Sequence, residues 1–267
     1  MDKEVITDCH VHVTPNGKWF GTNLNASLDR LLNELDSSPI HKVVLLPVGK
    51  DDSELRETTE FIVDLTKRFP DRLIGVSGYY SGLTIEEVLE RSLVGIKIHP
   101  RQNKIDILSQ ELFPLYEDAM KKGLFILFDS YCTPISDMPL EKIRPLVYRE
   151  LAEAFPSLKI ILAHSGMPFI WETYLILKWH ENVFADLSHI LLYFRETSLI
   201  SDLGWLVRKI PEKFMYGSDF PEMGLSEYFR EFERFCKNCG APFEDILCNF
   251  QKLMHQDRDT ETNDGRI

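Results

Sequence analysis

The sequence predicts an α/β fold, a (β/α)8 TIM barrel finished by a C-terminal helix, and three observations predict it. Apolar runs of strand length alternate with stretches of helical periodicity, the pattern of parallel strands joined by covering helices. The runs are rich in Val, Ile and Leu at consecutive positions, as strands buried on both faces require. Five of them deliver a histidine or an aspartate at their ends, and strand ends on one rim are where such a barrel keeps its chemistry.

Eight strands can be drawn: Val5 to His12, Lys42 to Val48, Leu73 to Gly78, Val94 to His99, Phe125 to Asp129, Lys159 to His164, Val183 to Ser188 and Phe214 to Asp219. The helices between them have legible starts. Ser27 precedes the stripe Leu28, Leu31, Leu32 and Leu35; Ser53 precedes Phe61, Ile62 and Leu65. Thr84 with Glu87 reads as a capping box. Ser109 opens a segment through Leu112, Leu115, Tyr116 and Ala119 that Gly123 closes. The stretch Phe169 to His180 is apolar nearly all round, so it is expected to be buried or to pack on a neighbour. Residues 1–255 are expected to be one barrel domain, because α/β barrels run to roughly 250 residues as a unit. Residues 256–267 are polar and charged, without a large apolar side chain, and are expected to be a disordered tail.

The chain has 267 residues and a net charge of −12. That balance argues against nucleic acid, whose phosphates need a basic partner face. No apolar run approaches the roughly 20 residues that span a bilayer, and Met1-Asp2-Lys3-Glu4 leads into a strand without a secretion-type stretch, so a cytoplasmic protein is expected. Five scattered cysteines do not form a disulfide framework. Cys236 and Cys239 make one CxxC pair, weak evidence for zinc without a second pair. No GxSxG elbow and no phosphate-cradling glycine loop is present.

His10 and His12 lie two apart on a strand, so both imidazoles leave one face while Cys9 and Val11 leave the other. Neutral imidazole is a common ligand of divalent transition metals. An isolated HxH pair is more often two hydrogen-bonded core histidines; a lone strand-end Asp is more often a turn residue, and a lone His in an apolar run a satisfied core group. What separates the functional reading is that Asp219 and His164 arrive at the same rim. Lys97 and His99 share a strand face, and Arg101 follows in the loop. An inward lysine needs a partner, because an unpaired buried ammonium costs several kcal/mol. These three residues can grip an anionic substrate, or serve as partners of the ligand residues. The loops beyond the strands carry Trp19, Phe20, Tyr131, Phe169, Trp171 and Leu191 to Phe194, which can wall a pocket or form a subunit interface in a homo-oligomer. His189 and Arg195 are further candidate carboxylate contacts.

Asp8-x-His10-x-His12, Gly95-Ile-Lys97-Ile-His99-Pro100, Leu162-Ala-His164-Ser-Gly166, Asn182 to Ser188 and Tyr216-Gly-Ser218-Asp219-Phe-Pro221 resemble, in order and over nearly the whole chain, the signatures of the amidohydrolase superfamily. The nearest likeness is to its amidohydrolase-related branch of metal-dependent barrel hydrolases and decarboxylases, whose C-terminal helix Ile246 to Leu253 also resembles. The resemblance implies that His10 and His12 bind the metal, that Asp219 binds it or acts as general base, and that His164 ligates or polarises the substrate. One position departs: the family usually presents a histidine at the end of strand five, where this chain has Asp129. If Asp129 is a ligand, two imidazoles and two carboxylates form a harder set that leans toward Mn²⁺ or Fe²⁺ without excluding Zn²⁺. If it points elsewhere, metal binding weakens, and the chain joins lactonase-like members that hydrolyse an activated ester without metal, or becomes a non-catalytic binding protein.

The expected function is therefore hydrolysis of an ester, lactone or amide bond in a small, carboxylate-bearing molecule. One divalent metal, zinc first and manganese or iron next, is held by His10, His12 and Asp219 with Asp129 or His164. Asp219 shuttles the proton and His164 stabilises the oxyanion; Lys97, His99, Arg101, Trp19 and Arg195 contact the substrate. Non-oxidative decarboxylation on the same scaffold is the alternative reaction.

Overall fold

The computed structural model describes residues 5–20, 22–133 and 138–255. The tail expected over 256–267 lies outside the described residues. The strands are β1 (Thr7–Val11), β2 (Lys42–Leu45), β3 (Leu73–Gly75), β4 (Ser77–Gly78), β5 (Gly95–Ile98), β6 (Phe125–Asp129), β7 (Lys159–Ala163), β8 (Val183–Asp186) and β9 (Phe214–Met215). Each pairs in parallel with the next within two ribbons, β1 to β3 and β4 to β9.

The third strand read from the sequence is thus two, divided at Val76. Main-chain bonds bridge the division: Val76 N donates to Leu45 O at 3.2 Å and Val94 N to Gly75 O at 3.0 Å. At the other seam, Cys9 N donates to Tyr216 O at 3.0 Å, Asp219 N to His10 O at 2.9 Å and His12 N to Phe220 O at 2.8 Å. The first strand is therefore tied to the last, which sets His10, His12 and Asp219 side by side on one rim.

Two apolar layers follow from the period-two alternation along the strands. Ile96, Ile126, Phe128, Ile160 and Leu162 face outward, where Tyr116 and Tyr148 of the surrounding helices cover them. Val44, Leu46, Leu127 and Ile161 face inward, and Phe250 and Leu253 of the C-terminal helix Phe243–His255 pack against this inner layer. Cys9 joins the inner layer although strict alternation would turn it away from His10. A register shift between Asp8 and Val11 is the cause, since an extra residue lets two neighbours face one side. Phe250 meets Phe125 edge-on, ring centroids 5.8 Å apart, and is 2% exposed. Phe250→Ala is expected to cost about 3–5 kcal/mol; a loss under about 1 kcal/mol in urea unfolding would show that the ring does not support the inner layer.

The helix starts refine the sequence reading. Ser27 caps Leu28–Asp36 by accepting from Arg30 N. Asp51, not Ser53, caps Asp52–Arg68, its carboxylate accepting from Glu54 N. Thr84 caps Ile85–Glu90, but Glu87 turns to Tyr80 and Arg91 instead of reaching back, so no capping box forms. The helix sought after Ser109 begins at Phe113. Cys9, Cys132, Cys236 and Cys239 are not joined in disulfides. Among the described residues no helix is long and apolar enough to cross a membrane.

Candidate metal centre

Three backbone turns aim the side chains at the mouth. His164, His189 and Asp219 all adopt positive φ, at 56°, 65° and 65°. Non-glycine residues rarely do so, and such strain persists where surrounding structure enforces it, commonly at functional sites. Gly217 fits the same requirement differently. A Cβ there would sit 2.9 Å from His10 Cβ, so only glycine lets the last strand approach the first at this level.

His10, His12 and Asp219 are 0%, 4% and 8% exposed. Their partners determine where protons lie. His12 Nδ1 is 2.8 Å from the Leu46 carbonyl, an acceptor, so this nitrogen carries the proton. His10 Nδ1 lies 2.8 Å from Asp186 Oδ2 and donates to it. In the neutral rings both Nε2 atoms then present lone pairs, and they are 3.1 Å apart. Asp219 Oδ1 lies 3.2 Å from His12 Nε2 and 3.5 Å from His10 Nε2. Burial, and then the nearby Lys97 ammonium, push His10 down to about 3. Despite its burial, Asp219 is held well below the usual carboxylate range by His12, His10 and His164. With both rings neutral and each Nδ1 carrying the proton, three acceptor atoms converge, an arrangement that a cation satisfies.

A second cluster, His10, His164 and Asp186, also lies within ligand range. Its centre is already filled. Ser188 Oγ donates to Asp186 Oδ1 and lies 3.1 Å from His10 Nδ1 and 2.9 Å from His164 Nδ1. Asp186 Oδ1 also accepts from the backbone N of His164 at 2.9 Å. The carboxylate thus orients the imidazole of His10 and the turn carrying His164, the role that outer partners play around metal-binding histidines. The charge and hydrogen bond of His10, then the charge of His164 and the bond from Ser188, hold Asp186 far below its ordinary value despite burial.

The structure places Asp129 apart from the His10, His12 and Asp219 set. Its Oδ2 lies 2.8 Å from His99 Nε2 and 3.7 Å from His164 Nε2, and its Oδ1 3.8 Å from Arg101. His99 Nδ1 accepts from Gln102 N at 3.2 Å, so Nε2 is the nitrogen that donates to Asp129. Parity explains the placement, because Asp129 and His99 both end neighbouring strands on the inner face. Burial opposes ionisation of Asp129, but His99 and His164 outweigh it and hold the carboxyl well below the usual range.

Lys97 is 4% exposed, and its ammonium forms no hydrogen bond or ion pair among the described residues. Burial lowers its value, while Asp129, Asp186 and Asp219 act in the opposite direction. Arg101 Nε is likewise buried without a partner. Trp19 stacks on His12 with centroids 5.2 Å apart, and its indole N–H bonds Glu222. Arg195 stands farther out, its guanidinium paired with Glu196, on a cavity of ≈ 300 Å³ that it lines with His189, Tyr193 and Glu222. His189 reaches inward from that cavity to 3.7 Å from Asp219 Oδ2.

Asp186 and Ser188 are the residues to which sequence reading gave no role. Asp186 ends β8 as Asp129 ends β6, and that shared position was the available signal. Burial opposes a proton on His164, but Asp129, Asp219 and Asp186 raise it to about 9, above the ordinary 6.5. The stabilisation from a raised value is complete below about 6.5 and disappears as pH rises through about 9. In chelator-treated protein the His164 imidazole is expected to titrate near 9 by NMR, and stability to decline across that window. A bound dication would lower the value, so titration near 6.5 without metal would contradict the assigned surroundings.

Comparisons with known proteins agree with this architecture. A TIM-barrel protein of uncharacterized function from Bordetella bronchiseptica superposes with a TM-score of 0.76 at 16% identity, covering 94% of this chain and 98% of that one. A protein of Pseudomonas putida described as a candidate 2-pyrone-4,6-dicarboxylic acid hydrolase gives 0.70 at 18% identity, covering 93% and 97%. The 5-carboxyvanillate decarboxylase of Sphingomonas paucimobilis gives 0.67 at 14% identity, covering 94% and 98%. At these identities they show the shared barrel fold. No curated protein matches the chain. The model of the amidohydrolase family matches residues 7–241, a span that contains every side chain of the centre, and the chain belongs to that family.

Proposed function

We propose that this protein is a divalent-metal-dependent hydrolase that opens an ester, lactone or amide bond in a small carboxylate-bearing molecule. The observation that carries this reading is the convergence of His10 Nε2, His12 Nε2 and Asp219 Oδ1, each Nδ1 being engaged elsewhere. Two imidazoles and one carboxylate with an open position is a ligand set that suits catalytic zinc, with manganese or iron as alternatives. When bound there, a divalent cation supplies Lewis acidity and lowers the pKa of a coordinated water toward about 7.

The chain's own residues supply the remainder. Asp219 accepts the proton of the attacking water and returns it to the leaving group. His164, oriented through Nδ1 by Ser188, presents Nε2–H to the oxygen on which charge develops. Lys97, whose ammonium the described residues leave without a partner, holds the substrate carboxylate together with Arg101, whose guanidinium stands beside Asp129. Trp19 walls the site beside His12 and keeps water out. Lys97→Met is expected to lower kcat/KM about 10- to 100-fold, mostly through KM, from the loss of a charge-assisted hydrogen bond of ~1.5–3 kcal/mol. An unchanged KM would remove Lys97 from the substrate contacts.

Decarboxylation remains the second reading, because Lys97 and Arg101 beside a proton-bearing His164 would also hold a carboxylate next to a carbon awaiting a proton. Protein freed of metal and reloaded with Zn²⁺ or Mn²⁺, assayed on lactones, esters and aromatic carboxylic acids, distinguishes the two. Proton release without carbon dioxide is expected. Carbon dioxide evolution selects the lyase, and undiminished turnover in metal-free protein contradicts the metal-dependent reading.

A further inference from the structure

The outer face of the helix Ile170–Trp179 is apolar where a barrel helix ordinarily meets water. Nine large apolar side chains are exposed among the described residues, and Leu146, Trp171, Leu175, Trp179 and Trp205 all belong to this face or its two flanks. Trp171, Leu175 and Trp179 are 49%, 47% and 74% exposed and recur every four residues, so they form one stripe along the helix. Such a concentration marks an interaction site, unlike singly scattered apolar residues. Trp205 of the helix Ser198–Lys209 extends the stripe, its ring 5.8 Å from that of Trp171.

We propose that this face is a homodimer interface in which the helix Ile170–Trp179 packs antiparallel against its copy, with Leu175 on the two-fold axis. An isologous contact demands a surface complementary to itself. The stripe meets that demand, because Trp171 and Trp179 lie four residues either side of Leu175, and reversal of the helix sets each indole opposite the other. The charges meet it as well. The flanking helix Tyr148–Ala154 carries Arg149 and Glu153 one turn apart, both largely exposed and, among the described residues, ion-paired with each other. Antiparallel packing brings Arg149 of one copy to Glu153 of the other. A chain of net charge −12 repels its copy at long range, so a contact between copies needs a patch without the acidic excess of the rest of the chain. This one meets that need, with Lys178 and Lys209 at its edge lying over Tyr174 and Trp205. A groove of ≈ 460 Å³ between Leu146, Arg149, Glu153, Leu175 and Trp179 offers room for an indole of the partner.

Sedimentation of the full chain at ~10 µM, where a Kd near ~1 µM leaves the dimer dominant, tests this directly. The wild type is expected to sediment as two chains, and Leu175→Glu and Trp179→Glu each as one, with unchanged circular dichroism. Arg149→Glu is expected to weaken the dimer at least ~10-fold, and the double reversal Arg149→Glu with Glu153→Arg to restore it, a recovery of about 1.4 kcal/mol. A monomeric wild type overturns the proposal. So does a dimer that survives both stripe variants, which would place the contact elsewhere, and failure of the double reversal overturns the antiparallel register.

Discussion

Asp219→Asn is expected to reduce kcat by about 10³-fold or more while leaving the barrel folded, in the range that loss of a positioned acid–base group produces. The expected loss has two sources in one side chain. Among the described residues Asp219 is the only carboxylate at the convergence of His10 Nε2 and His12 Nε2, so the amide would weaken cation binding, and it could no longer accept the proton of the attacking water. Circular dichroism and urea unfolding would separate chemistry from folding. The turn at Asp219 has positive φ, and asparagine tolerates that conformation well, which makes the substitution a fair one. A variant retaining full turnover would eliminate Asp219 as the proton shuttle.

Asp186→Asn is expected to lower divalent-metal affinity about 10- to 100-fold, the usual cost of removing a partner behind a metal-binding histidine. Asp186 is fully buried, and it would act on a bound cation through the orientation of His10. Its two oxygens serve His10 Nδ1, the His164 backbone and Ser188, so the amide must turn an N–H toward at least one donor. The same change frees His10 to rotate or to switch tautomer, which exchanges its Nε2 lone pair for a proton. Competition titration with a chromophoric chelator measures the effect. Affinity within about twofold of wild type would mean that His10 is held in place by packing alone.

How far the sequence discloses this centre follows from the kind of interaction each residue makes. Runs such as Phe125 to Asp129 and Lys159 to His164 announce themselves, because strands covered on both sides are apolar throughout and an ionisable group at the end stands out. Alternation likewise places Lys97 with His99 on one face, and both are found there. Interactions between distant segments leave no local trace. The bond from His10 to Asp186 joins residues 176 apart, and nothing in either strand's pattern requires it. Asp129 shows the same limit from the other side: its position at a strand end is legible, while its choice of His99 depends on which neighbouring strand ends at the same height. The division of the third strand at Val76 and the register shift before Val11 are adjustments to strand twist, and they change neither composition nor period.

The apolar helix Ile170–Trp179 is a case where the pattern was informative before its meaning was. A helix hydrophobic on every face is buried or partnered, and this one is buried on Ile170, Ile176 and Leu177 while leaving two tryptophans in solvent. The surface and the centre are independent features of the chain. Loss of the dimer in a stripe variant should leave the metal site's ligands in place.

Three side chains at the ends of the first and last strands, His10, His12 and Asp219, are expected to share one cation. Anomalous diffraction from crystals of protein loaded with Zn²⁺ or Mn²⁺ tests this, since the signal locates the ion independently of the surrounding density. A single peak bonded to His10 Nε2, His12 Nε2 and an oxygen of Asp219, with Asp129 still on His99, is the expected result. A loaded crystal without a peak there, or with the ion held by Asp129 instead of Asp219, would contradict it.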